Sequence, residues 1–296
     1  MSLGLRPASG RDADAIGALL DARDAVDFGR PHFTTLDLLD AWRPPDFDVE
    51  RDAVVCETSP GGPLCGFAMV RRRGSFGAVS PAHERLGVGA ALVAWVETRQ
   101  RELQWGKHEI AVADGNRRAE TLLGTRGYER AWANVRLSTR NDGRIPRAPR
   151  PAGVDFRTIA LPVDAQSLYD IDAAAFGSSE GTLAEFEEQQ LGAHDVAQDL
   201  SPVAAVDGRT VGFALVRRRE QPHAAYIALL AVHPTDQRRG IGRRLVVSVM
   251  QAAQSARLEV EVSVADDNPG ATRLYASLGL VRRFAVAVFE KPITRG

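Results

Sequence analysis

Gln237-Arg238-Arg239-Gly240-Ile241-Gly242-Arg243 joins an apolar stretch ending at Val232-His233-Pro234 to a segment with helical apolar spacing. Glycines at such a junction let the chain turn tightly and let backbone N–H groups approach a ligand. The first turn of a helix adds unpaired N–H donors and the positive end of the helix dipole. Together they form a nest suited to a pyrophosphate. Three or four charge-assisted hydrogen bonds of roughly 1.5–3 kcal/mol each make a strong anchor. Arg238, Arg239 and Arg243 add positive charge beside it. The competing reading is a tight strand-to-helix turn with a solvated basic face.

Two other phosphate motifs do not fit. A P-loop places Lys-Ser/Thr after its last glycine, whereas Gly242 precedes Arg243-Arg244. A dinucleotide fingerprint needs a third small residue where Leu245 stands. The six histidines show no metal-ligand spacing, so no metal is expected.

The elements that must hold the turn are legible. From the centre of the chain onward the pattern predicts strand 156–159, helices 162–176 and 182–191, and a hairpin of 203–206 and 210–219 about Asp207-Gly208. Strand 224–232, helix 243–253, strand 258–265, helix 269–278 and strand 284–289 follow. The order predicts an α/β fold with a mixed sheet.

The same order occurs earlier, and the match is residue by residue. Gly66-Phe67-Ala68-Met69-Val70-Arg71-Arg72-Arg73 returns as Gly212-Phe213-Ala214-Leu215-Val216-Arg217-Arg218-Arg219, 146 residues later. Gly87-Val88-Gly89 returns as Gly240-Ile241-Gly242, 153 later, and Asn116-x-x-Ala119-x-x-Leu122 as Asn268-x-x-Ala271-x-x-Leu274, 152 later. The chain is therefore read as a duplication, with domains at 1–140 and 153–296 and a Pro-rich linker at 141–152. The arginine runs are expected to be solvated strand ends that discourage pairing.

The bulk properties exclude several classes. The 296 residues are 44% hydrophobic and 25% charged, a balance that supports two packed domains rather than disorder. With 37 basic against 38 acidic residues there is no excess charge for nucleic-acid binding. No signal peptide and no membrane span are expected, so a cytoplasmic protein is, as monomer or homodimer. Cys56 and Cys65 flank the turn Ser59 to Pro63 and are read as two reduced core residues rather than a redox pair.

The strand, the Gln237-x-x-Gly240-x-Gly242 step and Asn268-x-x-Ala271-x-x-Leu274-Tyr275-x-x-x-Gly279-Leu280 resemble the acyl-coenzyme A site of the GNAT acyltransferase superfamily. The resemblance covers both copies, and the duplicated layout resembles tandem GNAT proteins of the mycothiol synthase type. It implies two tandem GNAT-like domains, each a mixed, mostly antiparallel sheet flanked by helices. It implies that backbone from Leu230 to Val232 pairs with a pantetheine arm as an added strand. Gln237 and the amides from Arg238 through Arg239, Gly240, Ile241 and Gly242 to Arg243 would hold the pyrophosphate, and Asn268 would touch the arm or fix the local loop. Tyr275 would be the general acid; a phenol of pKa about 10 is a protonated donor at neutral pH. Its competing reading is a packing tyrosine.

The family often carries a base glutamate on the strand before the glycine step, and Ala224 to Val232 has no acid. Base candidates are Glu180, Glu185, His194, Asp195, His223 and Glu261, each also readable as a surface group; His233 is read as structural. In the first copy Glu84 replaces Gln237, Leu123 replaces Tyr275, and seven residues are missing before Val79, which predicts two strands each shortened by roughly 10 Å. The expected function is transfer of an acetyl group from acetyl-coenzyme A to an amine of a small molecule or peptide, by direct attack in the second copy. A non-catalytic acyl-coenzyme A sensor and a mycothiol-type thiol synthase are the alternatives.

Overall fold

The computed structural model describes residues 4–71, 75–139, 144–177, 181–220 and 223–292. They divide into two compact units. Unit 1 comprises Met1–Val135, Ala265–Asp267 and Phe284–Gly296; unit 2 comprises Arg136–Val264 and Asn268–Arg283.

In unit 1, β1 (Gly4–Pro7), β2 (Ala53–Glu57), β3 (Leu64–Met69) and β4 (Phe76–Val79) pair antiparallel in sequence order. β4 then pairs parallel with β5 (Lys107–Ala113). Helices α1 (Ala13–Asp27), α2 (Thr35–Ala41) and α3 (Val49–Asp52) precede β2; α4 (Val88–Glu102) and α5 (Arg117–Thr125) flank β5 in sequence. β6 (Glu129–Ser138) ends the first repeat and carries Arg136 into unit 2.

Unit 2 repeats the plan: β7 (Asp155–Thr158), α6 (Ala165–Phe176), α7 (Leu183–Phe186), then β8 (Pro202–Val206), β9 (Arg209–Arg219) and β10 (Ala224–Val232). Then come α8 (Ile241–Ser255), β11 (Glu259–Ala265), α9 (Pro269–Ser277) and β12 (Val281–Pro292). Strands β7 to β10 pair antiparallel in order, and β10 pairs parallel with β11. The far part of β12, from Phe284 onward, belongs to unit 1, where it pairs antiparallel with β5 from Val286↔Ala113 to Pro292↔Lys107. Each predicted element of the second copy is present. The expected helix 182–191 is a single α-turn, α7, continued by a π-turn at Glu187–Leu191.

The repeated Gly-Phe-Ala has a packing cause. A Cβ at Gly66 would lie 2.6 Å from Val88 Cγ1 and 3.0 Å from Leu92 Cδ1; one at Gly212 would lie 3.1 Å from the Ala231 carbonyl and 3.4 Å from Leu245 Cδ1. Glycine here lets α4 seat closely on its strand, and crowds least at the matching place under α8. Ile241, Leu245 and Val249, one turn apart along α8, are buried on that side, and each such burial stabilises by roughly 1.5–3 kcal/mol. Phe213 and Leu215 fill the opposite face with Leu168 and Ile171 of α6.

Cys56 and Cys65 are free and buried in the unit 1 core, the Cys65 thiol 3.3 Å from the Cys56 carbonyl. Burial pushes the Cys56 thiol up to about 12, which fits a packing role. The arginine runs depart from expectation. The end of β9 is not a free edge, because β10 pairs with Arg217 to Arg219 on one side and Val196 bridges Arg217 on the other; Arg217 and Arg219 are half-buried while Arg218 is exposed. Arg72 and Arg73 of the first run lie outside the described residues.

One buried acid gives unit 1 a pH signature. Asp24 of α1 accepts from the backbone N–H of His32 at 2.7 Å and Phe33 at 3.0 Å, yet burial outweighs these bonds and pushes its carboxyl up to about 6. Because the unfolded carboxyl titrates near ~3.9, the folded state holds the proton more tightly, and stability falls as pH rises from about 4 to about 6. Asp24→Asn, which keeps one acceptor oxygen, is expected to flatten this part of a urea-midpoint profile against pH. An unchanged slope between those two values would contradict the assignment.

Candidate active site

The site in unit 2 starts with a strand that leaves its neighbour. β10 and β11 share four register pairs, from Ala224↔Glu259 to Ile227↔Val262. Beyond Ile227, β10 runs on to Val232 and β11 to Ala265 with no further pair between them. On its other side β10 stays paired with β9 to Val232↔Gly212, across a bulge between Ile227 and Leu229. A bulge bends a strand and adds local twist. The stretch 228–232, which includes Leu230 and Val232, thus keeps one edge in the sheet and presents the other where β11 has left. That edge can accept an extended ligand as an added strand.

The glycine step closes one end. Gln237 is extended, Arg238 has φ +64° and Gly240 φ +82°. Gly240 is the N-cap of α8 and, lacking a side chain, offers no acceptor to the first-turn N–H groups. Those donors face an exposed stretch, since Gln237, Arg238, Arg239 and Gly240 are all exposed. The side chains around them differ in role. Gln237 Nε2 donates to the Val232 carbonyl at 3.0 Å, tying the turn to the strand end. Arg239 pairs with Asp236 at 2.7 Å, and Arg243 donates to Ser277 Oγ at 2.7 Å. The Ile241 side chain is in the core, so only its backbone is available to a ligand. Asn268 caps α9, its Oδ1 accepting from the Ala271 N–H at 3.0 Å; Asn116 does the same for α5 at 3.2 Å. His233 Nδ1 lies 2.8 Å from Thr235 Oγ1, a local turn contact.

Tyr275 sits on α9 and is 4% exposed. Burial pushes its phenol above the ordinary value and Tyr226 pushes it further the same way. A neighbouring cluster was not anticipated from the sequence. The Arg136 guanidinium lies 4.2 Å from the Tyr226 ring centroid and that of Arg219 lies 4.8 Å from it. Arg136 is itself 3.6 Å from buried Glu261. Tyr226 stood in plain view on the strand, but a search for carboxylates passes over a tyrosine. Arg136 carried no signal, because it belongs to the last strand of the first repeat.

The other base candidates separate by contact. Glu185 forms a capping box with Thr182. Glu261 faces Arg136, and Asp195 is buried 3.8 Å from Arg217. His194 and His223 are exposed, and Glu180 lies outside the described residues.

The equivalent place in unit 1 is changed in the expected ways and in one unexpected way. β3 and β4 have six and four residues where β9 and β10 have eleven and nine. Leu123, in place of Tyr275, is core. Glu84, read as placing negative charge beside phosphates, is instead neutralised: it pairs with Arg23 at 2.6 Å and with Arg118. Behind it is a cavity of about 640 Å³, walled by Phe76, Val79, Leu92, Val96, Ile110 and Leu122 among others.

Residues 165–280 match the Acetyltransferase (GNAT) family. That match, with the relatives below, marks an N-acetyltransferase of the GNAT type. It is 27% identical over 301 residues to a mycothiol acetyltransferase of Nocardia farcinica, covering 91% of each chain. Its fold is shared with a GCN5-related N-acetyltransferase of Sphaerobacter thermophilus (TM-score 0.80, 23% identity, 99% of this chain and 96% of that one). It is also shared with a tandem GNAT protein from the clavulanic acid biosynthesis pathway (TM-score 0.75, 17% identity, 100% of both chains). The non-catalytic sensor alternative therefore gives way to an enzyme.

The turn makes a structural prediction. At φ +82° an L-residue is strained even though a Cβ at Gly240 would meet nothing within 4 Å, whereas Gly242 has no such φ and its Cβ would make an ordinary 3.7 Å contact with Val232. Gly240→Ala is expected to lower unfolding free energy by roughly 1–2 kcal/mol. Gly242→Ala should leave it unchanged or slightly raised, read from denaturant midpoints.

Proposed function

We propose that the chain transfers an acetyl group from acetyl-coenzyme A to the amine of a small molecule, by direct attack in a ternary complex, and that unit 2 carries the chemistry. The observation that carries this reading is the conjunction in unit 2 of an open strand edge at 228–232, an uncapped helix start at Gly240 and a phenol on α9. Backbone from Leu230 to Val232 pairs with the pantetheine arm. The amides from Arg238 to Arg243 take the pyrophosphate, with Arg238, free of any ion pair among the described residues, adding charge. Gln237 holds the turn against Val232, and Asn268 fixes the start of α9 that carries Tyr275.

The acetyl carbonyl lies between the strand edge and α9. The amine lone pair attacks the thioester carbon, the C–S bond breaks, and the thiolate takes the Tyr275 proton. Burial suits Tyr275 to this, because a phenol held above its ordinary pKa stays protonated throughout the neutral range. The similarity to mycothiol acetyltransferase favours, as acceptor, the amine of a small thiol-bearing molecule over a peptide. The domain assignment of 1–140 as the non-catalytic half, 141–152 as linker and 153–296 as the catalytic half rests on the short β3 and β4 and on Leu123. The cavity beside Glu84 favours a ligand-holding role for unit 1 without turnover.

Release of free thiol from acetyl-coenzyme A over a panel of small amines tests the reading directly. Tyr275→Phe is expected to lower the single-turnover rate ~10²–10⁴-fold with little change in acetyl-coenzyme A affinity. Gly242→Val, which avoids backbone strain, is expected to weaken that affinity at least about ten-fold, or ~1.4 kcal/mol. Near-normal turnover in the first variant removes Tyr275 from the mechanism, and unchanged calorimetric affinity in the second removes the glycine step. Leu122→Trp, which fills the unit 1 cavity, is expected to leave kcat within about three-fold; its loss there would move the chemistry to unit 1.

A further inference from the structure

We propose that Tyr226 is the general base of this transfer, its phenolate oxygen taking the proton of the incoming ammonium. The inference rests on the reading of unit 2 given above and adds the group that it lacks.

Tyr226 stands on β10 one residue before Ile227, the last residue paired to β11. It is therefore at the root of the opening between the two strands, where an acceptor must meet the thioester. It is half-buried, so it neither faces bulk water nor is sealed in core. Every element against it contributes a group. β6 sends Arg136 over the ring at 4.2 Å, and β9 sends Arg219 at 4.8 Å and Arg217, its partner in register. β11 supplies the Ser263 side chain as hydrogen-bond partner and Glu261 as partner in register, and α9 supplies Tyr275. Asp195 stands 3.8 Å behind Arg217. These named charges hold one more cation than anion, and a phenolate brings them to balance. The same cations disfavour an ammonium nearby, which promotes its deprotonation.

The two phenols are driven apart. Burial pushes Tyr226 up, but Arg136, the Ser263 bond, Arg219 and Arg217 outweigh it and bring it below the ordinary tyrosine value. Tyr275 is pushed the other way. Two titratable groups separated by environment are the pattern of a base and an acid. Among the described residues the carboxylate candidates do not compete, since Glu261 and Asp195 are buried on arginines and Glu185 caps a helix.

The protons balance. The Tyr226 phenolate takes one proton from R–NH3+, and R–NH2 attacks the thioester carbon. The C–S bond breaks as Tyr275 gives its proton to the thiolate, and the amide nitrogen sheds its extra proton to the Tyr275 phenolate. Tyr226 then returns its proton to solvent. The products are the amide, free coenzyme A and one proton.

The test has two arms. In the first, the near-ultraviolet tyrosinate band of the whole protein is titrated. One of the four phenols should ionise below the ordinary value of about 10, and that step should vanish in Tyr226→Phe. In the second, kcat/KM is followed against pH. Wild type should lose activity as pH falls through the Tyr226 transition. Arg219→Met should move that limb to higher pH, and Tyr226→Phe should lose both the limb and ~10²–10⁴-fold of the rate, with acetyl-coenzyme A affinity unchanged. A low-titrating phenol that persists in Tyr226→Phe, or an acid limb unmoved by both variants, overturns the assignment and leaves the acetyl transfer standing. A wild type that titrates as expected but acetylates no amine overturns the transfer reading itself.

Discussion

The parting of β10 from β11 after Ile227 is the constraint on which the site depends. A sheet gains stability by pairing every strand edge, so an edge left open inside it must be compensated. The compensation is visible on both sides. β10 stays paired with β9 through a bulge, and α8 is seated behind the strands with Leu245 against the glycine at 212. The opening then falls where an extended ligand can complete the hydrogen bonding. In the proposed transfer the helix start at Gly240 and the phenol of Tyr275 serve the same opening, so binding and chemistry share one structural defect.

The duplication sets beside this opening a second copy that keeps the fold and changes the residues around it. In unit 1 the register pairing of β4 with β5 is a single pair, Phe76↔Ala111, so the strands part there too. The packing glycine, the helix start and the capping asparagine are all retained. The changes fall on the ligand side: shorter strands, a leucine for the phenol, and a glutamate held between two arginines. Residues that hold the backbone persist, whereas residues that would touch a substrate differ. That is the division expected when fold and function are carried by different groups.

Unit 2 also has an electrostatic side to its site. Three arginines converge near one strand position, and two of them come from a run that sequence reading assigned to solvent. Burying guanidinium groups costs desolvation unless anions or π faces meet them. Glu261, Asp195 and the Tyr226 ring supply those partners. The strand residue is thus held by charge as well as by packing, which fixes it at the opening.

The sequence by itself determined the repeat, the element order, the mixed sheet and the glycine step, because these depend on local periodicity and on residues close in the chain. It also marked Tyr275 and the three replacements in the first copy, since aligned repeats compare positions directly. Tertiary structure decided what local pattern does not encode. Strand pairing is set by long-range hydrogen bonding, so no periodicity told that β12 pairs with β5 from Val286 onward, or that Arg136 belongs to unit 2. Alternation along β9 placed Arg217 and Arg219 on one side and Arg218 on the other, but only the fold set the Arg219 guanidinium beside the Tyr226 ring. The character of Tyr226 rests on groups from β6, β9, β11 and α9, which lie between 7 and 90 residues away from it in the chain. A side chain's chemistry is set by the charges around it in space, and those are fixed only when the chain has folded.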